Sequence, residues 1–200
     1  MKRKVDIVFV GECWINKQGK ETQSHPAFIT GSEVKKGNRV VGYWEKRLGT
    51  EVKVVLNEKN RVGVEVWGKK LIEIYTDGKL AGERWRGWIS GLKRYQAAVG
   101  DWNSHNTAWD ERTETYSRGR DLQGWMIENG WMLGKGEEGP TWEREREGRR
   151  ESRIIDFIIR HGQDEWHKAK KEKRLSDYWA MESSIDWRGR RPNIKKQVID

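Results

Sequence analysis

The sequence predicts an α/β fold in which helices cover β-sheet, and three observations carry that prediction. Apolar, β-branched runs recur at short spacing, at Val5 to Val10, Arg39 to Trp44, Glu51 to Leu56, Arg61 to Trp67 and Lys70 to Tyr75. Helix-spaced apolar residues follow them, and two more strand-like runs, Ala97-Ala98-Val99 and Ile154 to Ile159, stand apart. Thirteen tryptophans supply the buried area that a chain with only 34% hydrophobic residues otherwise lacks.

Val5-Asp6-Ile7-Val8-Phe9-Val10 is followed by Gly11, which predicts a buried strand whose C-terminal end delivers Glu12. The four runs between Gly37 and Thr76 are separated by turn-like Leu48-Gly49-Thr50, Asn57-Glu58-Lys59-Asn60 and Gly68-Lys69, a spacing that predicts an antiparallel meander. Leu80, Trp85, Trp88, Ile89 and Leu92 fall near one face at helical spacing, and Leu122, Trp125 and Met126 do so within Asp121 to Glu128. Both stretches read as helices covering a sheet.

The run Ala97-Ala98-Val99 enters Gly100-Asp101-Trp102-Asn103-Ser104-His105. Alternate residues of a strand share a face, so Asp101 and Asn103 are expected together at the strand's end. Phosphodiester hydrolysis needs a group that aligns and deprotonates water and a neutral donor on the phosphate, and this pair can supply both. Asp-x-Asn is also an ordinary turn, each side chain bonding its own backbone. In Ile154-Ile155-Asp156-Phe157-Ile158-Ile159 an acid interrupts an apolar strand, so Asp156 must find a cation, hydrogen-bond donors or a wet cleft. Lys168 to Arg174 reads as a solvated loop or helix face. Leu175-Ser176-Asp177-Tyr178-Trp179 opens a last strand through Ile185, and the chain from Trp187 to Asp200 reads as a frayed tail.

Two hundred residues suit one domain, expected over residues 1–187 with a tail at 188–200. A net charge of +9 favours polyanions, nucleic acid first. No stretch approaches the roughly 18 apolar residues of a membrane span, and Val5 to Val10 is short for a signal peptide, so an intracellular protein without membrane association is expected. The single cysteine, Cys13, excludes an internal disulfide and a cysteine-rich zinc cluster, and has no activating partner in sequence. His25, His105, His161 and His167 lack zinc spacing, and no glycine-rich loop cradles a phosphate. Trp14, Trp102 and Trp109 lie beside the proposed site, where core packing is the first expectation and base stacking the second. Four acids, Glu12, Asp101, Asp156 and Asp177, stand at strand ends or inside strands; gathered in one cleft they require a cation, and an all-oxygen site suits Mg²⁺ or Mn²⁺.

The order of these residues resembles the endonuclease/exonuclease/phosphatase superfamily, and within it the endonuclease domain of non-LTR retrotransposons. Glu12-Cys13-Trp14-Ile15 stands where those domains carry Glu-Pro-Trp-Ile, and Gly100-Asp101-Trp102-Asn103-Ser104-His105 with Trp109 is similar to their Gly-Asp-Phe-Asn-Ala-His followed by Trp. Arg118-Gly119-Arg120-x-Leu122 leads into a helix, Pro140-Thr141-Trp142 resembles Pro-Thr-Phe, and Ser152 with Ile155-Asp156 resembles Ser-x-x-Ile-Asp. The likeness runs over nearly the whole chain, with three departures. Ser176-Asp177-Tyr178 replaces Ser-Asp-His, Tyr75-Thr76-Asp77-Gly78 passes quickly into the next helix, and the family's opening strand would precede Val5, which implies an N-terminally truncated chain.

The resemblance implies a DNase I-like α/β fold, a four-layer sandwich of two mixed β-sheets face to face with helices on the outside, and a Mg²⁺- or Mn²⁺-dependent DNA endonuclease, with DNA as partner and a reverse transcriptase in the same parent polyprotein, working in the nucleus if the host is eukaryotic. It implies that Glu12 ligates the metal with Asp177 nearby, that Asp101 orients or deprotonates the attacking water, and that Asn103 holds a phosphate oxygen. Tyr75 would support the phosphate or leaving group, Asp156 would position the partner of the missing histidine, and His105 and Ser176 would contact phosphate or nucleic acid. Tyr178 stands in place of the histidine that polarises the phosphate. Its phenol is neutral and reaches farther, and losing one positioned acid–base group removes about 10²- to 10⁴-fold in rate. Two alternatives accompany this expectation: a degenerate member that binds nucleic acid without cutting it, and a phosphatase acting on a small phosphorylated molecule.

Overall fold

The computed structural model describes residues 6–11, 28–30, 37–134, 139–162, 165–166, 170–174, 179–182 and 185–186. Strand β1 (Ile7–Gly11), β2 (Phe28–Thr30) and β3 (Val40–Glu45) form a sheet ordered β1-β3-β2, antiparallel in both pairings. A 3₁₀ turn over Lys46–Glu51, broken by Gly49 at φ 41°, carries the chain into a second sheet. There β4 (Val52–Glu58), β5 (Arg61–Val66) and β6 (Lys69–Tyr75) run as the expected antiparallel meander. The expectation that Arg39 to Trp44 joins this meander is corrected, because β3 finds its partners in the other sheet.

Helix α1 (Gly82–Ser90) and a 3₁₀ turn over Gly91–Arg94 connect β6 to β7 (Ala97–Asp101), which lies parallel to β6. Trp85 and Ile89 sit four residues apart and point into the core, with Leu92 buried on the turn beyond. Helix α2 (Ser117–Glu128) starts four residues earlier than its apolar periodicity alone suggests and buries Leu122, Trp125 and Met126. Strand β8 (Trp131–Leu133) follows, then a hairpin of β9 (Trp142–Arg146) and β10 (Arg149–Arg153), then β11 (Asp156–His161). The six-stranded sheet is ordered β4-β5-β6-β7-β11-β8. Four short strands complete the chain, β12 (Glu165–Trp166), β13 (Lys170–Arg174), β14 (Trp179–Glu182) and β15 (Ile185–Asp186), paired β12 with β15 and β13 with β14. The basic run over 168–174, expected as a loop or helix face, is therefore a strand over Lys170–Arg174. The last strand expected through Ile185 is two separate ones, and the tail at 187–200 lies outside the described residues.

Two cores lie on opposite faces of the six-stranded sheet. Ile72 and Ile74 of β6 face α1 and α2, in a cluster with Trp85, Trp102 and Trp125. Leu71 and Tyr75, on the other face of the same strand, meet Val40 and Trp44 of the three-stranded sheet. Burying roughly 25 cal/mol per Å² on both sides of one sheet is how the many indoles offset the charged composition. Helices α1 and α2 cover the outer face of the six-stranded sheet. Among the described residues no helix is long and apolar enough to cross a membrane.

Candidate active site

Register brings three of the expected residues into one row. Tyr75, the last residue of β6, lies opposite Asp101, the last residue of β7, and Asp101 lies opposite Asp156, the first residue of β11. Directly paired residues project from the same face of a sheet, so the phenol and both carboxylates emerge together at an edge where two strands end and a third begins. The Asp156 N–H donates to Thr141 Oγ1 at 3.0 Å, and Trp102 N–H donates to the Ile155 carbonyl at 2.8 Å. Asp101 and Asp156 thus form a non-hydrogen-bonded antiparallel pair, the narrower kind, with Cα atoms about 4.5 Å apart.

Local chemistry explains why the strands stop there. Gly100 adopts φ 130°, and a Cβ on it would stand 2.0 Å from the Ile74 carbonyl oxygen, so glycine is required for β7 to approach β6 immediately before Asp101. Beyond Asp101 the chain turns. Thr76 N–H donates to the Asp101 carbonyl at 2.9 Å and Thr76 Oγ1 to the Trp102 carbonyl at 2.5 Å. The backbone N–H of Asn103 donates to Asp101 Oδ1 at 2.9 Å. Asn103 has φ 42° and is not part of the strand, so the expectation that strand alternation aims it alongside Asp101 is corrected: the Asp-x-Asn turn sets its position. Its Nδ2 donates to the Thr76 carbonyl at 2.5 Å.

Asp156 also differs from its expected setting. It opens β11 and does not interrupt it, because Ile154 N–H donates to Asp110 Oδ2 at 2.9 Å while Ile155 and Asp156 N–H both donate to Thr141 Oγ1. Asp110 is buried; burial pushes its carboxyl upward, yet hydrogen bonds from the Arg112 side chain and from the Ile154 and Arg112 backbone hold it below its ordinary range. Thr141, from the Pro140-Thr141-Trp142 motif, is therefore the anchor of the Asp156 strand entry. Trp102 and Trp109 pack in the core as expected, their indole N–H groups donating to the Phe157 and Ser104 carbonyls; Trp14 lies outside the described residues.

His105 sets its ring edge-on to Tyr116, with ring centroids 5.4 Å apart. Burial lowers its pKa, Arg153 and Arg118 lower it further, and Asp110 opposes them, so the imidazole is neutral at pH 7. Glu12, Ser176, Asp177 and Tyr178 lie outside the described residues.

Three participants were not read from the sequence. Arg39 crosses from the segment before β3, stacks its guanidinium 4.4 Å from the centre of the Tyr75 ring, and donates from Nη2 to the phenolic oxygen at 2.9 Å. Arg118, noted only as part of a motif, is buried over the Trp85 ring and donates from Nη2 to the Trp102 carbonyl at 2.9 Å. Burial lowers its pKa, and Asp101 and Asp77 counter that. Glu73, two residues before Tyr75 on β6, is only 4% exposed. Its carboxyl is pushed well above the usual range by burial and, in addition, by Asp156. A lone acid in an apolar run was the signal that singled out Asp156, and Leu71-Ile72-Glu73-Ile74 carries the same signal.

Among the described residues no three His, Cys, Asp or Glu side chains are grouped closely enough to hold a metal ion by themselves. The acids at or near this edge, Asp101, Asp156 and Glu73, offer carboxylate oxygens, and Glu73 Oε2 is buried with no hydrogen-bond partner among the described residues. Hard oxygen donors that repel one another fit Mg²⁺ or Mn²⁺ and do not fit zinc.

No protein-family model matches the sequence, and no curated protein matches it either. Solved structures do match. The endonuclease domain of TRAS1, a telomere-specific non-LTR retrotransposon, superposes with a TM-score of 0.69 at 18% identity, covering 92% of this chain and 87% of that one. The 3′ phosphatase NExo from Neisseria, bound to a product DNA hairpin, gives 0.59 at 16% identity, covering 91% and 89%. An AP endonuclease from Archaeoglobus fulgidus gives 0.57 at 14% identity, covering 91% and 89%. These superpositions, together with the mixed six-stranded sheet, show that the chain carries the DNase I-like fold that these structures share.

Proposed function

We propose that the protein is a divalent-cation-dependent phosphodiesterase that nicks DNA, of the retrotransposon endonuclease type. The observation that carries this reading is the Tyr75–Asp101–Asp156 row at the sheet edge. Glu12 and Asp177 would hold Mg²⁺ or Mn²⁺, which when bound supplies a Lewis acid for the charge developing on the phosphate. Asp101, fixed through Oδ1 by the Asn103 N–H, orients and deprotonates the attacking water. Asn103 uses one amide hydrogen on Thr76 and has a second to donate to a phosphate oxygen. Arg39 donates into the Tyr75 oxygen, which polarises the phenol and makes it a stronger donor toward the phosphate or leaving oxygen.

The hairpin supports a DNA substrate. Its two-residue turn, Glu147-Gly148, has φ 52° and 72°, the geometry of a type I′ turn, and its register sorts its charges by face. One face carries Trp142 and the arginines 144, 146, 149 and 153 against Glu151 alone, while Arg150 is tied to Glu143 on the other at 2.9 Å. Such a face suits a phosphate backbone.

Conversion of supercoiled plasmid to the nicked form tests the reading. Mg²⁺-dependent nicking that disappears in Asp101→Ala is the expected result, and nicking equal in both proteins refutes it. Tyr178 in place of the expected histidine favours one second reading, binding without cleavage. Salt-sensitive DNA binding with no nicking, unrelieved by Tyr178→His, would establish that one instead.

A further inference from the structure

We propose that Glu73 supplies a carboxylate oxygen to the divalent cation of this site; the inference rests on the cation-dependent reading above. Glu73 and Tyr75 are two apart on β6 and so share the face that packs on the three-stranded sheet. On its own rung Glu73 is flanked by Val62 of β5 and Val99 of β7, neither of which offers it a donor. It makes no ion pair among the described residues, and its Oε2 is buried without a hydrogen-bond partner among them.

An ionised carboxylate in that setting costs several kcal/mol, and the field of Asp156 adds to the cost. An apolar residue among Val62, Val64 and Leu71 would carry no such penalty, so packing does not account for an acid here. Room for it is provided from the opposite sheet. Glu73 Oε1 lies 3.1 Å from where a Cβ on Gly11 would stand, and Gly11 ends β1 and immediately precedes Glu12. Any side chain at position 11 would press on the carboxylate. A cation held between the two sheets removes both penalties at once, compensating the buried charge and neutralising its repulsion with Asp156, and oxygen donors of this kind are what Mg²⁺ and Mn²⁺ take.

The test is a titration of the full chain with Mn²⁺, free ion being read by electron paramagnetic resonance, for the wild type, Glu73→Gln and Glu73→Asp. Groups that support a metal site typically change affinity by about 10- to 100-fold when altered. Glu73→Gln is expected to weaken Mn²⁺ binding within that range while its melting temperature without metal equals or exceeds that of the wild type. Unchanged Mn²⁺ affinity in a folded Glu73→Gln overturns the inference and leaves the cation-dependent reading standing. Failure of the wild type to bind Mn²⁺ removes that reading and Glu73's role with it. If Glu73→Gln does not fold, Glu73→Asp decides, since moving the carboxyl back by one methylene must lower affinity if the oxygen reaches the ion, and equal affinity refutes the idea.

Discussion

Thr141→Val isolates the anchor of the Asp156 strand with little change in shape. The hydroxyl oxygen of Thr141 accepts from Ile155 N–H at 3.1 Å and from Asp156 N–H at 3.0 Å, and the residue is only 3% exposed, so water does not replace it. Stripping two buried donors costs roughly 1–3 kcal/mol each. The methyl that valine buries in place of the hydroxyl returns roughly 0.8 kcal/mol. The net loss is about 1–5 kcal/mol, to be read as a lower urea midpoint at unchanged slope. Thr141→Ser retains the acceptor and loses one methyl, a cost of roughly 0.8 kcal/mol. The same pair separates stability from function, because Asp156 is the next residue the anchor aligns: nicking should fall in the valine variant and survive in the serine variant. A valine variant as stable as the serine one would show that the hydroxyl does not hold the strand entry, and the account of Pro140-Thr141-Trp142 would be wrong.

Gly100→Ala combines a strained positive φ, about 1–3 kcal/mol, with a backbone collision against Ile74 that repacking cannot relieve, about 1–3 kcal/mol more, and should abolish or sharply lower soluble yield. Asp110 has a folded pKa below its unfolded value, so its contribution is present above about pH 3.9 and is lost as pH falls through the folded pKa. Urea unfolding between pH 6 and 2.5 should therefore show a steeper acid loss in the wild type than in Asp110→Asn, with the variant less stable at pH 6. Replacing Arg144, Arg146 and Arg149 together with glutamine should reduce the slope of log binding constant against log salt by roughly 0.9 per lost phosphate contact, about 2.7 in all, as followed by fluorescence anisotropy with duplex DNA.

What was legible in the sequence was local. Gly100-Asp101 could be placed at a strand end because an apolar run meets a glycine there, and Asp156 stood out because a carboxylate among isoleucines demands compensation. Asn103 was misplaced for a specific reason: the alternation rule holds only while the ladder continues, and the Asp101 carbonyl turns to Thr76 instead. Contacts between the sheets were not legible. Arg39 and Tyr75 are 36 residues apart, and nothing near either one announces the other. Glu73 escaped notice because alternation in β6 does not say which face a second sheet will cover. The β9–β10 hairpin was missed because a run of arginines and glutamates has little strand propensity; only the Glu147-Gly148 turn hinted at it, and Thr141 and the Arg150–Glu143 pair hold it in place.

The Asp101–Asp156 pair sets stability against chemistry. Like charges directly opposite each other across a narrow antiparallel pair are destabilising, by roughly 0.2–1 kcal/mol, and no packing advantage favours a carboxylate over its amide at position 156. Asp156→Asn keeps size and keeps the backbone N–H on Thr141, so it changes the charge of the side chain and leaves the strand entry in place. In a chain of this length 1 kcal/mol corresponds to roughly 2–4 °C, so loss of the repulsion contributes a rise of up to about 4 °C to the melting temperature measured without divalent metal. Nicking should fall in the same protein, because the charge that destabilises the fold is the one the reaction uses. A variant that melts lower than the wild type while losing activity would mean that Asp156 is held by favourable interactions at rest, and that the row of carboxylates is a structural feature and not a site kept under tension for catalysis.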